Sequence, residues 1–547
     1  MAALLSFLHR EMKGASARIV AALLIAGLSR GALLAIFNTG VAKAADHTLA
    51  WQIPAAFFGV LLLYLLASYF GIHHSVRAVE EMRERVRVRL AEKLLFAQLR
   101  FLEIRGSGDL YTQLGADLQR LRDAAMTFLN GMQAAVLVLF SLGYLAWLSW
   151  PVFFATLITG GLGAATYYWI DSDMRARIVH ARGRETALFD ALADTLRGFK
   201  ELKLARARQR DHSDYIARLA REFRELWVKT ETLYQLIGIT SQTFMFILIA
   251  IVAFVLPLFS PTGGIAIFQV VATILFLMTP LETLLQAIPS FAKARVSLQS
   301  IERLEQNLDS DAAEAFDETV KPLDFNTLSF RDVHFRFDSA IAEEGFDVGP
   351  LDLDIKRGEI LFVIGGNGAG KTTFLKLLTG LYAPAQGTIA VDGSPIDNAR
   401  RQSYRELFAA VFGDFHLFTQ LYGLGHIEPS QMTALLGELG IAHKTRIKDG
   451  ALSTVDLSTG QRKRLAYAVN RLADRQIYVF DEFAADQDPQ FRAYFYTELL
   501  PRLKRDGKTV IAVTHDDRWF DVADRVLKMD YGRIAAIVEH PAGLTTS

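Results

Sequence analysis

Six long apolar runs in the first three hundred residues constrain this chain more than any other feature. Stretches such as 60–66 and 244–252 contain only apolar side chains and one tyrosine. They lack the polar face that a buried helix of a soluble protein shows, and about twenty apolar residues suffice for a helix to cross a bilayer. We therefore predict a membrane α-helical domain with six transmembrane helices, at approximately 18–41, 52–74, 124–149, 151–170, 233–259 and 264–288.

The segments between these runs predict their orientation. Residues 75–123 and 171–232 are long and rich in Arg and Lys, whereas the joints near Trp150 and at 260–264 are short and uncharged. Basic connections remain on the cytoplasmic side of a membrane. The long segments and both termini are therefore expected in the cytoplasm.

Composition excludes several other classes of protein. The 547 residues carry 59 Lys and Arg against 59 Asp and Glu, and 51% of them are hydrophobic. A formal net charge of +0 argues against nucleic acid as the main partner, because nucleic-acid-binding proteins present basic surfaces to the phosphates. The chain has no cysteine, which excludes disulfides and thiolate metal ligands.

A glycine-rich motif predicts a nucleotide site in the second half of the chain. Residues 365–372 read Gly-Gly-Asn-Gly-Ala-Gly-Lys-Thr. In such a loop the glycines let backbone N–H groups turn towards phosphates, Lys371 reaches the phosphate oxygens, and Thr372 offers its hydroxyl to Mg²⁺. A turn and apolar strand at 358–364 and a helix from Phe374 flank the motif. These flanks indicate an α/β domain and disfavour a chance glycine-rich turn.

A second apolar strand, at 477–482, ends in the carboxylates Asp481 and Glu482. The first can hold Mg²⁺ and the second can polarise an attacking water. Alone, an Asp-Glu pair after a strand can equally be a loop start or a helix cap. Two further segments favour the catalytic interpretation: Leu457–Gln461, which opens a predicted helix, and Val510–Asp517, a buried strand that ends in a histidine.

The order of these segments is similar to that of the nucleotide-binding domain of ABC transporters. A phosphate loop, a Leu-Ser-x-Gly-Gln signature, an Asp-Glu strand and a Thr-His strand follow one another within 325–547. With a membrane domain at 1–300 and an acidic linker at 301–324, the chain resembles a type IV ABC exporter half-transporter. The resemblance implies ATP and Mg²⁺ as cofactors, ATP hydrolysis coupled to transport, and a place in the bacterial inner membrane.

The same resemblance implies roles for the residues that bind and cleave ATP. Glu482 would be the general base, His515 would contact the γ-phosphate, and Asp488 would serve the loop that joins two nucleotide domains. Mg²⁺ would lie on Thr372 and Asp481. The residues expected to bind the nucleotide are Phe337, Gly365, Asn367, Gly368, Gly370, Lys371, Thr372 and Thr373.

The signature implies that one chain does not build a complete site. By resemblance, Ser458, Gly460 and Gln461 cap the γ-phosphate of ATP held by a partner domain, and the helix N-terminus supplies partial positive charge. A homodimer is therefore implied.

Three positions depart from the usual family pattern. Phe337 stands where a tyrosine more often stacks on adenine, so the stacking face is kept and the hydroxyl is lost. Thr459 replaces the second glycine of the signature. Gly413 replaces a glutamine that in the family touches Mg²⁺ and reports to the membrane domain, so that Asp414 or a water would have to substitute.

Within the family, the chain most resembles the cyclic-peptide exporter branch, which includes pyoverdine-type siderophore exporters and syringomycin-type lipopeptide exporters. The marks of this branch are Gly198–Leu204, Gly365–Gly368 and Phe483–Pro489. Helical tips that dock on the nucleotide domains are expected at Ile104–Leu110 and at approximately Arg206–Tyr215, with plain solvated helices as the alternative.

The cargo must be read from the membrane helices. Ionisable side chains in a bilayer usually face a cavity or a partner, and Arg30 and Glu282 are such residues. We expect Glu282 to line the translocation cavity and Arg30 to pair with it or with an anionic group; the alternative is a rim position or a structural pair. The expected cargo is a cyclic peptide, lipopeptide or peptide siderophore. A lipid flippase or multidrug-type exporter, and a nucleotide-gated regulator or channel, remain alternatives.

Overall fold

The architecture is taken from a computed structural model, which describes residues 6–7, 10–11, 16–255, 264–310, 323–337, 346–425, 427–448 and 450–539. The chain divides into two compact units. The first comprises residues 1–90 and 110–304, and the second comprises 91–109 and 305–547. The second unit is therefore built from two stretches that lie far apart in the sequence.

Helices follow one another from Ser16 to Ser310. They are α1 (Ser16–Ala45), α2 (Gln52–Leu95), α3 (Leu99–Thr112), α4 (Leu118–Leu148), α5 (Trp150–Arg197), α6 (Phe199–Leu204), α7 (Arg206–Ala250) and α8 (Gly264–Ser310). Two five-residue π-helical segments, Gln113–Asp117 and Ile251–Val255, precede α4 and follow α7.

Within the described residues, four helices are long and apolar enough to cross a membrane: Ala17–Ala45, Gln52–Leu95, Leu114–Leu148 and Ala266–Leu285. Trp150–Gly163 and Gln242–Val255 are shorter apolar helices. These six segments overlap the six predicted runs, of which residues 256–259 lie outside the described part. Large apolar side chains on α2 are uncovered, with Leu66 61% and Tyr69 74% exposed, as expected of a surface that meets lipid.

The helices continue well past the length that a bilayer requires. Helix α2 has 44 residues, which at about 1.5 Å per residue gives about 66 Å, against about 30 Å for the hydrocarbon core. The first predicted tip, Ile104–Leu110, lies inside α3.

The second predicted tip, at approximately Arg206–Tyr215, stays a prediction. Residues 206–215 open the long helix α7, and the short helix between two long ones is α6. The chain leaves the helical conformation at Gly198 (φ −92°, ψ 22°) and again at Ala205 (φ −131°, ψ 104°), so that α6 stands alone.

The linker also begins later than predicted. Helix α8 runs to Ser310, through the first ten residues of the segment expected to be an irregular connector. Ile301, Leu304 and Leu308 are buried there and recur at helical spacing, which explains the continuation. Residues 311–322 lie outside the described part.

The second unit contains two larger sheets. Its strands are β1 (Thr327–Phe337), β2 (Phe346–Lys356), β3 (Ile360–Ile364), β4 (Gln386–Val391), β5 (Ser394–Pro395), β6 (Phe408–Val411), β7 (Ile447–Lys448), β8 (Ala451–Leu452), β9 (Ile477–Asp481), β10 (Thr509–Val513), β11 (Arg525–Asp530) and β12 (Arg533–Glu539). A four-stranded antiparallel sheet has the order β2-β1-β4-β5, and a six-stranded sheet has the order β12-β11-β3-β10-β9-β6. In the latter, β11, β3, β10, β9 and β6 are parallel and β12 is antiparallel.

Further helices connect these strands: α9 (Lys371–Leu378), α10 (Arg401–Arg405), α11 (Pro429–Glu438), α12 (Thr459–Leu472), α13 (Pro489–Tyr494) and α14 (Leu500–Arg505). The six-stranded sheet is covered on both faces, since Ile360 and Phe362 belong to one hydrophobic cluster and Leu361 and Val363 to another. This alternation is the period of two that a strand imposes. Because β3, β9 and β10 are parallel neighbours, the loops that follow them lie at the same edge of the sheet.

Candidate nucleotide-binding site

The phosphate loop joins β3 to α9 and takes backbone conformations that only glycine adopts readily. Gly365 has φ +154°, and a Cβ there would lie 2.4 Å from the carbonyl oxygen of Met529. Gly370, which caps α9, has φ +92°. Two of the predicted glycines are therefore required by the fold of the loop itself.

The ammonium of Lys371 lies inside this loop. The side chain is 7% exposed, and Nζ donates to the carbonyl oxygens of Gly365 at 2.9 Å and Gly366 at 3.0 Å. Asn367 lies in the exposed part of the loop, and Thr373 follows in the first turn of α9. A cation surrounded by backbone groups at a helix N-terminus is suited to hold phosphate oxygens.

A hydroxyl and a carboxylate meet beside the loop. Thr372 Oγ1 donates to Asp481 Oδ2 at 3.4 Å. Asp481 ends β9 and is 6% exposed, and burial raises the pKa of its carboxyl, although a hydrogen bond from the Gly413 N–H opposes the shift. Two oxygen ligands so close together fit a hard cation such as Mg²⁺.

The residue that replaces the family's glutamine lies directly at this pair. A Cβ on Gly413 would be 3.7 Å from Asp481 Oδ2. Asp414, predicted as a substitute ligand, is exposed, and in the described part of the chain no hydrogen bond joins it to Thr372 or Asp481.

The two predicted catalytic side chains lie together. His515 Nε2 is 3.3 Å from Glu482 Oε1, and the side chains are 51% and 44% exposed. Glu482 has a left-handed backbone (φ 47°, ψ 42°), and its N–H donates to Val513 O at 3.2 Å. Val513 at the end of β10 pairs with Asp481 at the end of β9 in the parallel ladder. The two strands therefore end side by side, which places the Glu482 carboxylate close to the His515 imidazole.

The signature forms a capped helix N-terminus. Ser458 is the N-cap of α12: its side chain accepts from the Gln461 N–H, and the Gln461 side chain accepts from the Ser458 N–H, a capping box. Ser458 and Thr459 are exposed, whereas Gly460 is buried, since a Cβ there would lie 2.4 Å from Asp486 O. The helix thus presents an exposed, positively polarised end.

Sequence reasoning missed the residue that ties this helix to the backbone of Glu482 and to Asp486. Lys463 is 3% exposed; Nζ donates to Glu482 O at 2.7 Å and pairs with Asp486 at 2.7 Å. The signal was present, because Lys463 lies three residues after Gly460 and four before Tyr467, on the buried face of α12.

A neighbouring network fixes the residue predicted to serve the loop between nucleotide domains. Asp488 is the N-cap of α13 and accepts from Phe491 N at 2.9 Å. It also pairs with Arg464, whose guanidinium lies 3.8 Å from the Phe491 ring centroid and donates to Gln487 Oε1 at 2.8 Å. The hydrogen bond from Phe491 N, together with Arg464, lowers the pKa of the Asp488 carboxyl.

The remaining predicted site residues are Phe337, for adenine stacking, and Arg30 and Glu282, for the cargo cavity. Phe337 ends β1, and only its backbone is described. Glu282 accepts from Gln242 Nε2 at 3.0 Å, whereas Arg30 lies 5.4 Å from the centroid of the Phe276 ring. Among the residues that the structure describes, no ion pair joins Arg30 to Glu282, and Phe276 lies six positions, about 9 Å, before Glu282 on α8.

Together, a phosphate loop, a buried aspartate with a glutamate and histidine beside it, and a capped signature helix define an ATPase that is joined to membrane-spanning helices. Residues 348–485 match the family profile described as ABC transporter, and residues 19–284 match the profile described as ABC transporter transmembrane region. The chain is 32% identical over 538 residues to ATP-binding protein SyrD of Pseudomonas syringae pv. syringae, which covers 94% of this chain and 93% of the relative. It belongs to the ABC transporter family and is a half-transporter of the exporter type, driven by ATP.

Other relatives agree with this assignment. An ATP-dependent lipid A-core flippase of Thiobacillus denitrificans is 25% identical over 525 residues, covering 91% of this chain and 87% of that protein. The fold matches the structure of a bacterial Atm1-family ABC exporter with ATP bound, with a TM-score of 0.74 at 20% identity over 96% of both chains. The predicted fold class, a membrane α-helical domain with an ABC nucleotide-binding domain, is confirmed.

Proposed function

We propose that this chain forms a homodimer that exports an amphipathic, peptide-like cargo, such as a cyclic lipopeptide or peptide siderophore, across the bacterial inner membrane. Two lines support a peptide-like cargo. The sequence carries the marks of the cyclic-peptide exporter branch, and SyrD is more similar to it, at 32% identity, than the flippase at 25%.

A cavity in the first unit is the observation that supports an amphipathic cargo. Its volume is about 360 Å³, within the range of 300–1,000 Å³ usual for ligand pockets. Helices α4, α5, α7 and α8 supply its walls, among them Leu142, Gly160, Phe244 and Leu281. Its threonine hydroxyls donate to their own helix, as Thr156 does to Val152 O at 2.8 Å, so that the cavity is apolar.

A polar pair adjoins this cavity. Gln242 and Glu282 bond to each other from the same two helices that supply Met245 and Leu281 to the wall. A cargo with an apolar part in the cavity and hydrogen-bond donors or a cation at Glu282 would satisfy both surfaces. Arg30 remains a candidate for an anionic group of the cargo.

ATP hydrolysis in this proposal follows the arrangement at the sheet edge. The phosphates would replace the carbonyl oxygens at Lys371, and the backbone N–H groups of the loop would bind them. The carboxylate of Glu482 would take the proton of the attacking water, and His515 would donate to the γ-phosphate. Mg²⁺ would be held by Thr372 and Asp481, where it neutralises charge on the phosphates.

The remaining nucleotide contacts would come from the same chain and from its partner. Gly365, Asn367, Gly368, Gly370 and Thr373 would cradle the phosphates and Phe337 would stack on adenine. The exposed end of α12, with Ser458, Gly460 and Gln461, would cap ATP bound to the other copy, and Asp488 would lie at the junction of the two domains. Both termini would face the cytoplasm, as the basic connections indicate.

The test is the ATPase rate of the purified protein in lipid nanodiscs, with Glu482→Gln as the blank, across cyclic peptides, lipopeptides, siderophore precursors and lipids. Stimulation by a peptide class would support the proposal. Gly160→Leu adds an apolar side chain at the cavity wall, where a Cβ meets nothing within 4 Å, and should abolish that stimulation. Gly143→Leu, equally unobstructed and outside the cavity wall, is the matched control.

A lipid flippase is the second candidate function, and the flippase relatives at 25% identity favour it. It would share the architecture and the apolar cavity. Stimulation of ATPase activity by a particular lipid and by none of the peptides would replace the peptide proposal with this one.

A further inference from the structure

Glu103 belongs to the second unit although it precedes the rest of that unit by two hundred residues. It lies on α3 and contacts the helix that follows the phosphate loop: Glu103 Oε1 is 2.6 Å from Lys376 Nζ. The hydroxyl of Tyr382 donates to Glu103 Oε2, and Lys376 Nζ is 3.5 Å from the same hydroxyl. One carboxylate therefore ties α3 to Lys376 on α9 and to Tyr382, four residues after the end of that helix.

These contacts are partly withdrawn from water. The side chains of Lys376 and Glu103 are 15% and 29% exposed, and Tyr382 is 3% exposed. Tyr382 stacks on Phe335 with ring centroids 4.5 Å apart. Burial and then the Glu103 carboxylate raise the pKa of the Tyr382 hydroxyl, so that it remains a donor across the physiological range. Charge-assisted bonds in such surroundings are stronger than exposed ones.

The contact has a direct route to ATP. Lys376 lies five residues, about 7.5 Å, along α9 from Lys371, the residue that enters the phosphate loop. Because a helix of eight residues moves as a unit, a displacement of α3 acts on the phosphate loop through Glu103. At the other end, α3 continues through a π-helical segment into the membrane helix α4.

By resemblance, a glutamine at the position of Gly413 would connect the nucleotide site to the membrane domain. Gly413 lies next to Asp481 with no side chain to reach beyond it. We propose that Glu103 is a positioning residue that transmits movement of the membrane helices to the phosphate loop, in place of the glutamine that the family carries at Gly413. The proposal rests on the proposed homodimeric exporter function.

The test uses a charge reversal and its compensation. Glu103→Lys sets two ammonium groups against each other, whereas Glu103→Lys combined with Lys376→Glu restores the attraction with reversed signs. Asp324→Lys is the control, since it disrupts an ion pair to Arg357 (2.9 Å) of the same unit whose side chains are 46% and 75% exposed. All variants carry Glu482→Gln so that ATP is retained.

The measurement is the distance between two copies of one spin label, which the chain permits directly because it contains no cysteine. Trp51→Cys, at a residue 78% exposed, reports on the membrane unit, and Tyr531→Cys, at a residue 84% exposed, reports on the nucleotide unit. In Glu103→Lys, ATP should still shift the Tyr531 distance, whereas the shifted fraction at Trp51 should fall about fivefold or more. The double variant should recover the Trp51 shift.

Two results would overturn the link. The first is an ATP-driven change in the Trp51 label distance that is as large in Glu103→Lys as in Asp324→Lys. The second is a double variant in which this change is not recovered. In either case Glu103 does not transmit the movement. If the protein with Glu103 intact shows no ATP-driven shift at either label, then the homodimeric switch itself is refuted, and the link with it. Loss of both shifts in Glu103→Lys alone would show a merely structural role and would also overturn the proposal.

Discussion

Lys463 offers a strong test of how the signature helix supports catalysis. Its buried ammonium bonds to Glu482 O and Asp486, each at 2.7 Å. Lys463→Met keeps an unbranched apolar stem in the same space and removes both bonds. The Glu482 carbonyl then loses its charged donor, and the backbone of the proposed general base is no longer held by Lys463.

The expected cost follows from these two contacts. A buried acceptor left unpaired costs about 1–3 kcal/mol, and a charge-assisted bond contributes about 1.5–3 kcal/mol. The Asp486 side chain is 45% exposed and regains water, so its share is discounted to about 1 kcal/mol. The sum is about 2–4 kcal/mol, which at about 2–4 °C per kcal/mol is a fall of about 4–16 °C in the melting temperature of a domain of this size. If Glu482 is the general base, as proposed, a displacement of its carboxylate by about 1 Å should cost about 100-fold in the ATPase rate.

The assays are thermal unfolding followed by tryptophan fluorescence and the ATPase rate in nanodiscs. Arg462→Met is the matched control: it removes a cation from the same helix, where Arg462 lies 5.5 Å from the centroid of the Phe415 ring. We expect the control to stay near the parent in both assays. If Lys463→Met has the same melting temperature as Arg462→Met and retains more than half of the parent's ATPase rate, the reasoning is refuted.

Three further outcomes are expected. Glu482→Gln should abolish turnover and leave ATP binding intact; normal hydrolysis by this variant would make the assignment of the general base wrong. Asp481→Asn should raise the melting temperature measured without nucleotide, by about 2–4 °C per kcal/mol, while abolishing Mg²⁺-dependent ATPase activity. Because burial raises the pKa of Asp481 in the fold, its destabilising effect grows as pH rises through that pKa, so the stabilisation by Asn should vanish in acid; an equal gain at all pH values would contradict this. Gly460→Val should destabilise the protein, since its first carbon already lies 2.4 Å from Asp486 O, and an unchanged melting temperature would show that the contact is not tight.

The parts of the site that the sequence predicted are those whose spacing along the chain is fixed by local geometry. The phosphate loop and the carboxylates Asp481 and Glu482 are read from a strand and its end, so their identity and their edge of the sheet followed directly. The partners of Lys463 lie 19 and 23 residues away, and those of Glu103 more than 270 away, beyond any local pattern.

The helix boundaries that the sequence did not predict have the same origin. The break at Gly198 and the continuation of α8 to Ser310 depend on backbone angles and burial, which composition does not specify. The acidic residues around Asp309 suggested an irregular linker, yet the buried stripe beneath them kept the helix intact. Where charge and periodicity disagreed, periodicity was the better guide.

The split composition of the second unit imposes an order on biosynthesis. Residues 91–109 belong to it, but residues 110–304 must be synthesised before the next part of that unit begins. At about 5–20 residues per second, α3 emerges about 10–40 s before the nucleotide domain that receives it. During that interval Leu99, which packs against the core of this domain, has no core to cover it. A ribosome that pauses in the membrane helices therefore prolongs the exposure of a segment already made.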